Sequence, residues 1–322
     1  MEFILPGIAI VAGLGLLVRG ADQFVDGAAA TAHHLGISTL IIGMVVVGFG
    51  TSAPELLVSG TAAMQGNGDL ALGNALGSNI ANITLVLGAT ALILPLTVRP
   101  ATLRREYPLL LGATAITWLL IRDGVLSPVD SIVLVTLLTI IMGALTLLAL
   151  RRTAGDAGDD ALVDPLPPPL PPQAALLRLI VGLIVLLIGS RLLVWGAVTT
   201  ATQLGVSDVI IGLTLVAVGT SLPELATAIA GALKNEADLA IGNVIGSNLF
   251  NTLAVLAVPG FFGGLVITAD ILTRDFALAA LLTVALAVLC GSWRSRPRLG
   301  RLNGGLLLTV FLAYQLTLYL NA

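Results

Sequence analysis

Glu55 and Glu224 are carboxylates set inside apolar sequence, each directly behind a proline and inside nearly the same phrase: GFGTSAPELL from Gly48 to Leu57 and AVGTSLPELA from Ala217 to Ala226. An ionisable side chain at bilayer depth costs about 3 kcal/mol or more and marks a functional site by default. A protonated glutamate bonded to a neighbouring helix would account for one such residue. It accounts poorly for two in the same Thr-Ser-x-Pro-Glu setting. A proline within a helix removes a donor and clashes with the carbonyl four residues back. Pro54 and Pro223 should therefore leave the carbonyls of Gly50 and Gly219 unpaired, in a medium without water to satisfy them. Thr51, Ser52, Thr220 and Ser221 add hydroxyls to the same turns.

A second pair of phrases follows, GNALGSNIAN (Gly73 to Asn82) and GNVIGSNLFN (Gly242 to Asn251). Asn74, Ser78 and Asn82 recur every fourth residue, as do Asn243, Ser247 and Asn251, so each set forms one stripe along a helix. Gly73 with Gly77, and Gly242 with Gly246, are small-xxx-small pairs that permit close helix approach. These polar side chains could serve only to glue helices. The reading adopted gives them both roles: the glycines bring the helix in, and Ser78, Asn82, Ser247 and Asn251 turn oxygens toward the glutamates. The result is an all-oxygen cage without thiolate or imidazole. Ca²⁺ takes roughly six to eight oxygens in a flexible site, whereas transition metals recruit nitrogen or sulfur. Two carboxylates neutralise one Ca²⁺, and several Na⁺ could fill the same oxygens at smaller subsites. Without a cation, two facing carboxylates in a low-dielectric centre are costly. Only loaded forms should then close and switch sides, which describes an exchanger and not a leak.

Such a cage needs helices at bilayer depth. The chain has 322 residues, of which 57% are hydrophobic and 10% charged. That is too few polar residues to cover a water-soluble surface, and apolar runs near the ~20 residues of a spanning helix recur throughout. The short alternating strands of a membrane barrel are absent from the sequence. Ten spans are expected, near 3–21, 39–62, 70–95, 107–121, 127–150, 174–200, 208–233, 239–267, 276–292 and 302–320. The first run has only Glu2 before it and no cationic flank, so it is read as a retained span and not a cleaved signal. Shifting Glu55, Asn74, Ser78 and Asn82 by 169 gives Glu224, Asn243, Ser247 and Asn251, and LGISTLIIG (Leu35 to Gly43) meets LGVSDVIIG (Leu204 to Gly212) in the same register. The chain is a tandem duplication: a first five-helix repeat over 1–150, a proline-rich linker over 151–173 and a second repeat over 174–322. Five is odd, so the second repeat must enter the membrane from the other side, the arrangement of transporters that bind their cargo near the midplane.

Arginines and lysines fall mainly in alternate loops (Arg99, Arg104, Arg105; Arg151, Arg152, Arg178; Lys234; Arg294, Arg296, Arg298, Arg301). Basic loops stay cytoplasmic. The expectation is a multi-pass cell-membrane protein with both termini extracytoplasmic and the central loop cytoplasmic. Asp156, Asp159, Asp160 and Asp164 in that loop lack the spacing and terminal glutamate of a calcium-binding hand and are read as a solvated linker. His33 and His34 are read as solvated, and Asp22 and Arg191 as interface anchors or local pairing residues. The lone Cys290 excludes an intrachain disulfide. No cofactor and no nucleic acid are called for; the partners expected are Ca²⁺, Na⁺ and the lipid bilayer, and a monomer is compatible with all of this.

The paired GTSAPE…GNALGSNIAN and GTSLPE…GNVIGSNLFN resemble the two alpha repeats of the Ca²⁺/cation antiporter superfamily, nearest its prokaryotic sodium/calcium exchanger branch. The resemblance covers essentially all ten spans. It implies an all-α fold of ten transmembrane helices in two inverted five-helix halves, countertransport of several Na⁺ against Ca²⁺, and no enzymatic activity. Carried onto matching positions, it implies Glu55 and Glu224 as central Ca²⁺ ligands, joined by oxygens of Thr51 and Thr220. Ser52, Ser78, Ser221 and Ser247 would line Na⁺ sites, and Gly48 and Ala217 would give backbone carbonyls to an outer Na⁺. Potassium-dependent members carry aspartate where this chain has Asn251, which argues against K⁺ co-transport. Proton-coupled members carry Glu-His after the Gly-Asn, where this chain has Leu-Gly or Ile-Gly after an intervening residue, so H⁺ is the weaker coupling ion. The regulatory insertion of animal exchangers is missing from the central loop. The remaining alternatives are a Ca²⁺/H⁺ or K⁺-dependent exchanger and a cation channel. An intramembrane protease lacks its His-Glu-x-x-His or its paired aspartates.

Overall fold

The computed structural model describes residues 3–152, 170–206, 211, 215, 217–291 and 297–321. The linker aspartates, Arg294 and Arg296 lie outside the described residues. Helix α1 (Ile4–Leu35) is followed by α2 (Thr39–Thr51), α3 (Ala53–Met64), α4 (Gly68–Ile93), the short α5 (Pro100–Arg105), α6 (Tyr107–Ile121) and α7 (Pro128–Arg152). The second half contributes α8 (Pro172–Gln203), α9 (Ala217–Thr220), α10 (Leu222–Leu233), α11 (Ala237–Phe262), α12 (Ile271–Leu289) and α13 (Arg301–Asn321). Among the described residues, seven helices are long and apolar enough to cross a membrane, or eight if the bent pair α2–α3 is one span. Of the two other expected spans, 107–121 is the 15-residue α6, and 208–233 is described only in part, with α9 and α10 in its second portion.

Helix α1 runs well beyond its expected end near residue 21. Its 32 residues continue through Arg19, Asp22 and Asp26 to a left-handed Gly36 (φ 66°), whose turn sends amides to the carbonyls of Ala32 and His33. Gly36 is suited to that position because it has no Cβ to clash. At 1.5 Å per residue α1 is about 48 Å long, longer than the ~30 Å hydrocarbon core. Its duplicate α8 has the same length.

The two long helices lie backbone against backbone. A methyl at Gly27 would sit 2.3 Å from Leu179 N, one at Gly20 2.4 Å from Leu186 N, and one at Gly13 2.5 Å from Leu193 N. On the facing side Gly182 meets Phe24 N and Gly189 meets Leu17 N, each at 2.4 Å, and Gly196 meets Pro6 O at 2.7 Å. Numbers rise on one helix as they fall on the other, so α1 and α8 are antiparallel. Each carries a glycine every seventh residue, and the two stripes are copies at the 169-residue shift. In lipid, helix association depends on such close packing because burial of apolar surface supplies no driving force between helices.

The proline breaks take a definite form. Pro54 and Pro223 stand in the first turn of α3 and α10, where the missing N–H is no loss. The chain therefore ends one helix and starts another, with Ser52 at φ −82°, ψ 4° and Ser221 at φ −88°, ψ 2°. Helices α2 and α3 meet at 42°. Among the described residues, π-turns relax the helices further, including Gly43–Val47, Asn82–Val86, Asn251–Val255 and Ile271–Phe276. The second and third begin at the last amide of each GNxxGSNxxN phrase. Such turns are rare and often mark functional positions; the sequence gives no sign of them.

Four two-residue strands, β1 (Leu96–Thr97), β2 (Val125–Leu126), β3 (Leu265–Val266) and β4 (Arg298–Leu299), form two antiparallel ladders. Leu96 pairs with Leu299 and Thr97 with Arg298; Val125 pairs with Val266 and Leu126 with Leu265. Each ladder takes one strand from each half.

Candidate cation site

The first turns of α3 and α10 carry Glu55 and Glu224, and both residues are fully buried. A helix N-terminus favours negative charge there. The two carboxyl groups are close enough to act on each other electrostatically. Ser78 Oγ on α4 reaches Glu55 Oε1 at 3.5 Å, the limit of a hydrogen bond. Glu55 Oε2 and both oxygens of Glu224 have no hydrogen-bond partner. The hydroxyls of Thr51, Ser247 and Ser52 lie beside Glu224, yet none meets it with hydrogen-bond geometry. Ser52 Oγ, Ser221 Oγ, Asn82 Oδ1 and both polar atoms of Asn251 are likewise buried without partners.

Thr51 joins the two halves. Its Oγ1 lies 3.1 Å from Val47 O, 3.0 Å from Asn243 Oδ1 and 3.2 Å from Ser247 Oγ. One hydroxyl proton serves only one of these acceptors. Ser247 Oγ also approaches Gly48 O at 3.4 Å, a carbonyl that already accepts the Ser52 amide at 3.1 Å. Thr220, the duplicate of Thr51, is only half-buried. Ala217 opens α9.

The Gly50 and Gly219 carbonyls correct the reading of the prolines. They are not left open: Gly50 O accepts an amide at the end of α2, and Gly219 O accepts Ser190 Oγ of α8 at 3.2 Å. The break releases turn geometry and hydroxyls more than it releases carbonyls, although each carbonyl keeps a second lone pair.

Close backbone contact brings α11 to α2. A methyl at Gly246 would lie 2.2 Å from Met44 O, one at Gly242 2.3 Å from Leu40 O, and one at Gly48 2.8 Å from Ser247 N. Gly73 and Gly77 meet nothing within 4 Å among the described residues, and the chain 169 residues beyond Leu40 and Met44 falls outside those residues. The first asparagine of each phrase holds the glutamate's backbone and not its carboxylate. Asn74 Nδ2 donates to Glu55 O at 3.1 Å and to Ser59 Oγ at 2.9 Å; Asn243 Nδ2 donates to Glu224 O at 3.5 Å.

Two further asparagines, not singled out from the sequence, cross between the halves. Asn82 Nδ2 donates to Asn248 Oδ1 at 3.0 Å, and Asn79 Nδ2 to Thr252 Oγ1 at 2.8 Å. Their signal was present, because Asn79 and Asn248 are duplicates at the same shift. Replacing Thr51 by valine should leave Asn243 Oδ1 short of a donor and cost about 1–3 kcal/mol. Thermal unfolding of the detergent-purified protein measures this.

A family model described as sodium/calcium exchanger protein matches residues 6–147 and 174–320. The chain belongs to that family. The gap between the matched segments contains the whole of the expected linker, 151–173. Among relatives, the chain is 40% identical over 314 residues to the inner membrane protein YrbG of Escherichia coli (strain K12), covering 96% of this chain and 95% of that protein. It is 30% identical over 288 residues to the sodium/calcium exchanger MaX1 of Methanosarcina acetivorans, covering 79% and 82%. Among solved structures, the sodium-calcium exchanger NCX_Mj soaked with 10 mM Na⁺ and 10 mM Sr²⁺ superposes with a TM-score of 0.82 at 33% identity, covering 96% of this chain and 97% of that one. This member of the exchanger family therefore has the all-helical, polytopic membrane fold of NCX_Mj and is a cation antiporter by family, in a family of transporters and not of enzymes.

Proposed function

We propose that this protein exchanges Na⁺ for Ca²⁺ across the cell membrane by alternating access, with the cations held by oxygens around Glu55 and Glu224. One observation carries the reading: two buried acids, the buried serines Ser52 and Ser221 at the equivalent helix breaks, and the amides Asn82 and Asn251 leave their side-chain oxygens largely unpartnered. A buried polar atom left without a partner costs about 1–3 kcal/mol, and a hard cation coordinated by those oxygens removes the cost. Glu55 and Glu224 are the central ligands of Ca²⁺, with Thr51 and Thr220 beside them. Ser52, Ser78, Ser221 and Ser247, with Asn82, Asn251 and the main-chain oxygens of Gly48 and Ala217, complete the Na⁺ subsites. The relative MaX1 is named a sodium/calcium exchanger, and NCX_Mj has been studied for extracellular ion exchange and induced binding-site occlusion; both support Na⁺ as the coupling ion here.

The fold we infer for transport is ten spans in two inverted five-helix halves, 1–150 and 174–322. The antiparallel pairing of the duplicate helices α1 and α8 supports inversion. The arginine-rich alternate loops support a cytoplasmic linker and extracytoplasmic termini. A monomer contains both halves of the site.

Ca²⁺ uptake into proteoliposomes tests this. Na⁺-loaded vesicles diluted into Na⁺-free medium should take up Ca²⁺ rapidly, and equal Na⁺ on both sides should suppress it. Uptake driven by a pH gradient alone would reassign the coupling ion, and uptake indifferent to every counter-gradient would indicate a channel. Asn251 is the position where a third carboxylate would stand. Asn251→Asp should change which cations stimulate or inhibit uptake while leaving thermal stability close to the parent; unaltered ion dependence would remove Asn251 from the argument about K⁺.

A further inference from the structure

The duplication fails at a cluster of charges on one end of the molecule. Asp22 and Asp26 lie one turn apart on α1. Lys234, the residue that ends α10, reaches both, with Nζ 2.7 Å from Asp22 Oδ1 and 2.8 Å from Asp26 Oδ1. Arg178 of α8 adds a contact to Asp26 Oδ2 at 3.3 Å. Just past Lys234, at the start of α11, Asp238 pairs with Arg99. Every one of these pairs joins the first half to the second. At the 169-residue shift the other end has Gln65 for Lys234, Ala9 for Arg178, Arg191 and Trp195 for Asp22 and Asp26, and Thr268 for Arg99. Those residues cannot form the same network.

The cluster sits beyond the candidate cation site along one route. Glu224 opens α10 and Lys234 closes it, so the helix that bears a proposed ligand is pinned at its far end to α1. Thr227, one turn from Glu224 toward Lys234, is fully buried, and its hydroxyl has no hydrogen-bond partner. Lys234 and Asp26 are 28% and 31% exposed, so their attraction is only partly screened by water. Burial alone would lower the Lys234 pKa, but its bonds to Asp22 and Asp26 carry it above the ordinary lysine value, and the side chain stays charged.

We propose that Lys234, Asp22, Asp26 and Arg178, reinforced by Arg99–Asp238, form an ionic latch that holds the Lys234 end of the cation route shut. At the opposite end, the residues at the duplicated positions form no such latch among the described residues. The two access states are therefore unequal in free energy despite the internal symmetry, and the protein rests closed at the Lys234 end. Opening that end requires these pairs to part, and apparent cation affinity from that side falls with the fraction of open molecules. The proposal rests on the exchange reading above only for its consequence in transport; the latch itself is a statement about access.

Thiol labelling of Thr227→Cys in a Cys290→Ala background tests it, with a membrane-impermeant methanethiosulfonate applied separately to each face of oriented vesicles. Labelling from the Lys234 face should be slow with the latch intact. It should quicken about fivefold or more with Lys234→Met or with Asp22→Asn plus Asp26→Asn. Raising the salt on that face from about 0.1 M to about 1 M shortens the screening length from roughly 10 Å to 3 Å and should also quicken labelling; this arm needs no latch variant to fold. Equal labelling rates with intact and altered latch, in low and high salt, would overturn the proposal. Absence of Na⁺-driven Ca²⁺ uptake, with latch-dependent labelling retained, would sink the exchange reading and leave the latch standing.

Discussion

Glu55→Gln and Glu224→Gln should each abolish Na⁺-driven Ca²⁺ uptake while the protein still inserts and purifies as a single species. The side chains are isosteric, and both sites are fully buried, so packing is preserved while the charge is lost and one accepting oxygen becomes a donating NH₂. With one carboxylate left, a divalent cation enters a low-dielectric centre with half its charge uncompensated. Removing one partner of a buried charge pair costs about 3–5 kcal/mol, which corresponds to a loss of roughly 100-fold or more in affinity. Isothermal titration with Ca²⁺ and vesicle uptake measure the two consequences separately. Parental uptake by either substitution would detach the glutamates from transport. The asymmetry of the site adds a finer expectation. Ser78 reaches Glu55, whereas neither oxygen of Glu224 is bonded, so Glu224→Gln should disturb the cation-free protein less than Glu55→Gln.

The second large effect concerns the α1–α8 contact. A leucine at Gly20 or Gly189 should prevent formation of the native fold and not merely weaken transport. The new Cβ would lie 2.4 Å from the backbone nitrogen of Leu186 or of Leu17. The obstruction is main chain, which cannot rotate aside as a side chain can, so the helices must separate. Separation by even an ångström forfeits much of the dispersion energy along the contact, and in lipid no hydrophobic gain compensates. Overpacking typically costs about 1–3 kcal/mol in cores that can relax; here the stripe extends over the length of both helices, and the expected outcome is aggregation or proteolysis. Gly15→Leu is the control, because a methyl there meets nothing within 4 Å. Size-exclusion profiles of the three proteins decide it: a monodisperse Gly20→Leu protein with parental melting temperature would contradict the packing argument.

Much of this molecule could be read from its residues, and the reasons are physical. A buried glutamate behind a proline is too costly to be incidental, and its recurrence 169 residues later exposes the duplication. The shared register then singled out Ser78, which reaches the Glu55 carboxylate, and Asn74 and Asn243, which hold the backbone carbonyls of the two glutamates. Other features left little trace. Helix α1 overran its expected limit because Arg19, Asp22 and Asp26 break an apolar window, while partners elsewhere in the chain, Lys234 and Arg178, satisfy the two aspartates. The Gly50 and Gly219 carbonyls looked open because a proline removes a known donor, but replacement donors came from the adjoining turn and from Ser190 on another helix. Two-residue strands are too short to imprint a period of two. Thr51 is buried and Thr220 half-buried, a difference that the matching Gly-Thr-Ser phrases do not display.

The paired ladders bear on how such a chain holds together. Residues near the ends of α4 and α6 are stitched to residues flanking α12 and α13, each stitch crossing from one copy to the other. Cohesion between the copies is thus distributed over peptide hydrogen bonds at the rim, asparagine bridges at the centre and glycine contacts along one flank. None of the fastenings described here lies within residues 153–169, so none of them requires the two copies to be joined in one chain.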